Sequence, residues 1–193
     1  GAMDRRQFVV GSLASAVSSV SLAQGAAQIS TLSDGYDNFP LWSPRGDLIM
    51  FSRQIDGNYQ VFTIKPDGTG DVTGTHVAFT VKKDVPHNPS PVVVGDALYM
   101  VSDKGILSCL EAATGKVRWS ERVGGDHSSS LLYANGLVYL LDEAGTTTVF
   151  KPGDSYEEVA KNKLGEKTQA SCALDGDALL LRTEKALYRI EKK

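Results

Sequence analysis

From Asn88 onward the chain is a succession of short apolar runs bounded by glycine, asparagine and aspartate. Residues 91–94, 97–101 and 106–110 follow one another across Gly95-Asp96 and Lys104-Gly105. The same order returns at 131–134, 137–141 and 146–150, across Asn135-Gly136 and Ala144-Gly145. A looser third version turns at Gly176-Asp177 and Lys185-Ala186. Superposing the copies puts Ser90 over Ser130 and Ser171, Tyr99 over Tyr139 and Leu180, and Asp103 over Glu143 and Glu184. Each step is about 40 residues, the length of one supersecondary unit in a repeat protein. The runs have strand length, and the dipeptides between them tolerate the left-handed backbone that tight hairpins need.

Short strands between hairpin turns at that period predict an all-β chain, a β-propeller of four-stranded antiparallel blades with about four blades per chain. One complete blade takes strands at residues 89–94, 97–103, 106–110 and 117–123, the next at 129–134, 137–142, 146–150 and 156–160. The last copy supplies only three, near 169–174, 178–182 and 186–191. An open blade edge is a template for unwanted pairing, so the segment QISTLS, residues 28–33, is assigned as an N-terminal strand closing the last blade. The blades then occupy about 36–83, 86–123, 127–162 and 168–193, and residues 1–27 stand apart from them.

Composition narrows the setting. The chain has 193 residues, 41% of them apolar, and a formal charge of −3. There is no basic surplus to neutralise phosphates, which argues against nucleic acid as a partner. Residues 1–4 read partly as a cloning remnant. Arg5-Arg6, the triplet Phe8-Val9-Val10, and a Ser/Ala-rich apolar run ending in Leu22-Ala23 have the order of a bacterial export signal. The paired arginines resemble the twin-arginine motif, with Gly11 where a lysine often follows. The resemblance implies a periplasmic or secreted protein. The apolar run falls short of the roughly 20 residues that span a bilayer.

Two stretches resemble known propeller repeats. Pro40, Trp42-Ser43-Pro44, Gly46, the apolar run 48–51, Asp56-Gly57 and Pro66-Asp67-Gly68 look like one TolB-type repeat over about 36–70, with Arg45 in place of its usual acidic residue. LEAATGKVRW, residues 110–119, is similar to the PQQ-like repeat, and that likeness extends over about 86–193. It implies a turn at Thr114-Gly115 and docking of Trp119 between neighbouring blades, with Trp42 a docking residue of the TolB-type repeat. In the following copy, FKPGDSYEEV replaces the Thr-Gly and Trp elements. A TolB-type repeat joined to PQQ-like repeats is also what a fragment, chimera or designed half propeller would contain.

The residues offer little chemistry. Quinoprotein dehydrogenases with such repeats hold pyrroloquinoline quinone over adjacent cysteines, whereas Cys109 and Cys172 stand alone; no cofactor is expected. Alignment places the two cysteines a whole blade apart, too far for a disulfide, and predicts buried thiols. Asp126-His127-Ser128 has the residue types of a hydrolase triad, but neighbours on a turn diverge. The turns KPDGTGD and DSYEE lack the alternating spacing of a calcium loop. His76 is one of the three histidines; the other two, His87 and His127, hold related places before a blade's first strand and make a candidate ligand site at the central funnel.

A blade cannot bury both faces alone, so blades stack into a disc whose loops and funnel are the usual place for function. The leading expectation is an exported, non-catalytic scaffold binding a protein or a small envelope ligand, similar in class to the propeller lipoprotein of outer-membrane protein assembly. The alternatives are a half propeller assembling as a homodimer with an eight-bladed ring, and a quinone-dependent oxidoreductase or hydrolase.

Overall fold

The computed structural model describes residues 20–22, 25–27, 37–42, 46, 49–55, 58–64 and 77–191. Their regular structure is entirely β, and no helix among the described residues is long and apolar enough to cross a membrane. Strands β1 (Val20–Leu22) and β2 (Gly25–Ala27) pair as a small antiparallel hairpin, within the residues read as the end of an export signal. The twin arginines and the strand expected at 28–33 lie outside the described residues.

Four antiparallel sheets follow, each made of consecutive strands. Sheet one contains β3 (Asp37–Trp42), β4 (Ile49–Ile55), β5 (Asn58–Ile64) and β6 (Val77–Val81). Sheet two contains β7 (Val92–Val94), β8 (Ala97–Val101), β9 (Ile106–Glu111) and β10 (Val117–Arg122). Sheet three contains β11 (Leu132–Ala134), β12 (Leu137–Leu141), β13 (Thr146–Lys151) and β14 (Glu157–Lys163). Sheet four contains β15 (Ala173–Asp175), β16 (Ala178–Arg182) and β17 (Leu187–Ile190). No fourth strand pairs with β17 among the described residues. Hairpin chemistry follows the turn residues: Asn135 and Gly136 both have positive φ, 51° and 78°, the mirror-image turn that matches strand twist.

The first strands begin later than the apolar pattern predicts, because the residues ahead of them bond to the next sheet. Pro89 and Pro91 have no N–H for a ladder. Between them, the Ser90 N–H donates to the hydroxyl of Ser130 at 3.1 Å, and the Ser130 N–H to that of Ser171 at 2.9 Å. The Leu131 N–H reaches Ser90 O at 3.4 Å. The recurring serine is thus an inter-sheet tie, and β7 and β11 are brought together beside it, which places the first strands innermost.

Alternation along each strand sorts side chains between two neighbours. Leu98, Met100 and Leu110 of sheet two pack with Met50 and Val61 of sheet one. Ala97, Tyr99, Val101, Leu107 and Cys109 pack with Leu131, Val138, Leu140 and Phe150 of sheet three. Strand β8 is consequently buried along its whole length.

Candidate functional site

Sheet two is fastened on both sides by residues of its Thr-Gly-Trp segment. Thr114 Oγ1 donates to Glu111 Oε2 at 2.7 Å and accepts the Lys116 N–H at 3.2 Å. The Gly115 N–H closes the turn on Glu111 O at 2.8 Å. Gly115 has φ +71°, and a Cβ there would run into the ring of Phe79 in sheet one; only glycine lets the turn sit so close. On the other side, Trp119 Nε1 donates to Gly153 O of sheet three at 3.0 Å. The Trp119 ring meets Tyr99 at 5.9 Å, Phe150 at 6.2 Å and Tyr156 at 5.6 Å between centroids, separations typical of tilted aromatic pairs. Tyr99 OH accepts the Gly153 N–H at 2.8 Å, and burial pushes its phenol above the ordinary tyrosine range. Arg118 lies beside this cluster and bridges Asp96 at 2.7 Å and Asp154 at 3.1 Å.

Trp42 corrects the sequence reading. Its register partner is Ile49, whereas Leu41 pairs with Met50. Leu41 and Met50 face sheet two, so Trp42 lies on the opposite face and is 60% exposed. It docks on no other described sheet.

His87 and His127 both attach to Asp103, but their rings serve different ends. The His87 N–H and Asn88 N–H donate to Asp103 Oδ1 at 3.4 and 3.1 Å, while the His127 N–H donates to Asp103 O at 3.0 Å. The His87 ring is exposed, stacks on Tyr59 of sheet one at 4.3 Å, and has Nδ1 3.9 Å from Asp103 Oδ2. A recess lined by Met50, Phe51, Ser52, Val61, Pro86 and the two tie prolines lies in the same inter-sheet seam. The His127 ring is buried, with Nδ1 3.2 Å from Leu141 O and Nε2 2.8 Å from Gly124 O. One repeat later Thr168 does the same work: its N–H donates to Glu143 O at 3.1 Å and its hydroxyl to Arg182 O at 2.6 Å. His127 is therefore a linker brace rather than a ligand-facing group, and the two rings do not form the shared funnel site read from the sequence.

The remaining chemical candidates are also engaged locally. Asp126 Oδ1 takes Lys104 Nζ at 2.9 Å, and Ser128 Oγ donates to Glu143 Oε1. Asp126, His127 and Ser128 thus have three separate partners and form no relay. In DSYEE, Asp154 pairs with Arg118, Glu157 with Lys151 and Glu158 with Tyr156; KPDGTGD and His76 lie outside the described residues. No group of three potential metal ligands occurs among the described residues. Both cysteines are free thiols. Cys109 is buried and Cys172, expected to be buried, is half-buried. Burial nonetheless holds the Cys172 thiol up at about 11.

The sequence pattern did not reveal the residue just before each acidic position. Ser102 Oγ accepts the Ile106 N–H at 3.1 Å, Asp142 Oδ1 the Thr146 N–H at 2.7 Å, and Thr183 Oγ1 the Ala186 N–H at 3.1 Å. Three side chains cap one recurring turn. Their shared signal is a short oxygen-bearing side chain rather than an identity.

Comparison with known proteins agrees with this architecture. A family model described as outer membrane protein assembly factor BamB matches residues 65–188. The BamB of Moranella endobia (strain PCIT) is 25% identical over 92 residues, 48% of this chain and 23% of that protein. The Tol-Pal system protein TolB of Gluconobacter oxydans (strain 621H) is 53% identical over 32 residues, 17% of this chain and 7% of that one. The crystal structure of BamB from Moraxella catarrhalis superposes with a TM-score of 0.64 at 12% identity, over 91% of this chain and 57% of that one. The chain therefore spans less than a quarter of either sequence relative and a little over half of the solved propeller. Its sheets are propeller blades built from PQQ-like repeats with a TolB-type repeat. Since the matched residues 65–188 make up well over half of the sequence, the chain belongs to the family of outer membrane protein assembly factor BamB.

Proposed function

We propose that this chain is an exported, non-catalytic propeller scaffold that binds a protein partner in the bacterial envelope. The observation that carries this reading is the division of labour along the blade linkers. Asp126, His127, Ser128 and Glu143, the side chains a catalytic centre would use, are engaged in holding linkers and turns together. The Tyr59–His87 stack beside Asp103, by contrast, stays at the surface. An aromatic face, an imidazole and a carboxylate at the seam of sheets one and two form a surface suited to peptide recognition by stacking and hydrogen bonding, and they include no activated nucleophile. Family membership supports a scaffold role, and the relatives are named for assembly and for the Tol-Pal system. The Arg5-Arg6 segment supports export through the twin-arginine route.

Photo-cross-linking tests the reading. A photoreactive residue at His87 in exported protein is expected to give one discrete envelope-protein adduct, and the same residue at Val159 on the outermost strand to give none. No adduct at His87, or equal adducts at both positions, overturns the proposal. Arg5-Arg6→Lys-Lys is expected to leave the protein in the cytoplasm. Pyrroloquinoline quinone with calcium is expected to leave Tm unchanged.

A further inference from the structure

The His127 side chain is buried, and each nitrogen of its ring faces a backbone carbonyl: Nδ1 lies 3.2 Å from Leu141 O and Nε2 2.8 Å from Gly124 O. A carbonyl oxygen only accepts, and a neutral imidazole carries one donor and one bare lone pair. The doubly protonated ring alone donates to both, whereas either neutral tautomer sets a lone pair against an oxygen. The backbone fixes the nearer carbonyl. Gly124 and Gly125 both have positive φ, 81° and 74°, and this double turn lays Gly124 O close against Gly105, where a Cβ would meet it. Leu141 O, at the end of β12, also takes the Ser129 hydroxyl at 2.6 Å. The next linker lacks the arrangement. There Thr168 repeats the backbone bond to the preceding sheet, and its hydroxyl makes one carbonyl contact, to Arg182 O, from a group that does not titrate.

We infer that His127 is a proton-dependent clamp on the linker between sheets two and three: with both ring nitrogens protonated it ties Gly124 O to Leu141 O, and loss of one proton releases one of them. The charged groups on the elements packed around it suit the second proton. Asp126 precedes it in the linker and pairs with Lys104 of the β8–β9 turn. Asp103, in the same turn, takes the His127 N–H on its carbonyl, and its carboxylate lies 3.9 Å from the other titratable ring, His87. Asp142 and Glu143 follow Leu141, the first accepting the Thr146 N–H and the second the Ser128 hydroxyl. Against these four carboxylates stand three cations: Lys104, Arg122 on Lys104 O at 3.4 Å, and Lys161 on Val123 O at 3.4 Å. The surroundings are net negative, as a buried cation requires. A folded state that holds the extra proton gains stability as pH falls through the histidine range and loses it as pH rises. The inference is independent of what the His87 surface binds.

Thermal unfolding of the full chain and of His127→Thr, at about pH 5.5 and about pH 8, tests the clamp. Threonine is the side chain the next linker uses at this place. The Tm advantage of the parent over the variant is expected to be about 2–4 °C larger at the acidic pH. The exposed His87 titrates alike in both proteins and cancels. An advantage that shrinks on acidification marks a ring buried neutral, which acid must charge, and overturns the inference; an advantage equal at both pH values overturns it as well. If the variant does not fold, ring-nitrogen NMR of the parent reads the same state. At the pH where half of the histidine rings of the urea-unfolded chain have lost a proton, most His127 rings of the folded chain are expected to keep both. A majority with one bare nitrogen at that pH overturns the inference.

Discussion

The seam between sheets two and three and the forward face of sheet four derive from one repeat, yet they are chemically opposite. At the seam, Phe150 is fully buried among Tyr99, Trp119 and Tyr156. Trp119 is cross-strand neighbour to Cys109, and the corresponding neighbour of Val149 is Ala160. One blade later the large ring has thus become a methyl group, and in sheet four the fourth strand itself is not among the described residues. The backbone scarcely registers this decay: a capped turn recurs in all three copies, and serine ties join them at two seams. Backbone hydrogen bonding and turn chemistry therefore carry the repeat, while aromatic docking is an addition at one seam.

The largest expected effect comes from emptying that seam. Phe150→Ala should cost about 3–5 kcal/mol in denaturant unfolding, as for other buried aromatic truncations. Leu187→Ala, at a position 67% exposed, should stay within about 0.5 kcal/mol. Similar costs for the two would show that the last sheet is packed as tightly as the seam, and the contrast would fail.

A second test addresses the turn glycines. Gly145 has φ +82°, and a Cβ there would collide with the carbonyl oxygen of Glu166. Gly105 meets Gly124 O in the same way, whereas the third turn is one residue shorter, Thr183 bonding Ala186 where Ser102 bonds Ile106, and has no counterpart of this glycine. Gly145→Ala combines left-handed strain of about 1–2 kcal/mol with a backbone clash, so a loss above about 2 kcal/mol is expected from the same unfolding curves. Ala186→Gly should cost less than about 1 kcal/mol. Trp119→Phe comes next: it keeps most of the ring but loses the bond to Gly153 O, and about 1 kcal/mol is expected.

These contrasts also mark what could be read from the sequence. The all-β class and the four-stranded antiparallel sheets follow from period, and the turn at Thr114-Gly115 and the Trp119 ring were singled out by their motif. Trp42 was misread because a motif gives position along a strand but not which face the register selects. A one-residue change of register exchanges the faces, and only the pairing of Trp42 with Ile49 settles it. His87 and His127 were joined because they share a place in the repeat. Whether each ring turns inward depends on the carbonyl oxygens facing it, and two of them converge on His127. The caps Ser102, Asp142 and Thr183 were missed because they share a function across unlike residue names.

The smallest effect isolates an electrostatic detail of the last sheet. Glu166 accepts hydrogen bonds from Thr183 Oγ1 at 2.7 Å and Tyr188 OH at 2.9 Å, and Lys185 Nζ lies 3.9 Å away. The Thr183 bond first, then the Tyr188 bond, hold its carboxyl below the ordinary glutamate range. A depressed folded-state value means that the stabilisation is fully present above the ordinary carboxylate range and is lost as pH falls through the lowered value. Glu166→Gln retains an acceptor oxygen but cannot titrate. Comparing unfolding midpoints at neutral and acidic pH, the parent should lose slightly more stability than the variant. Gly125, the repeat counterpart of Glu166, has no side chain to titrate, so this acid sensitivity should arise in the last sheet and have no counterpart at the aromatic seam. Equal acid slopes in parent and variant would mean that the Thr183 and Tyr188 bonds form equally well to a protonated carboxyl, and the last sheet would then differ from the seam in packing alone.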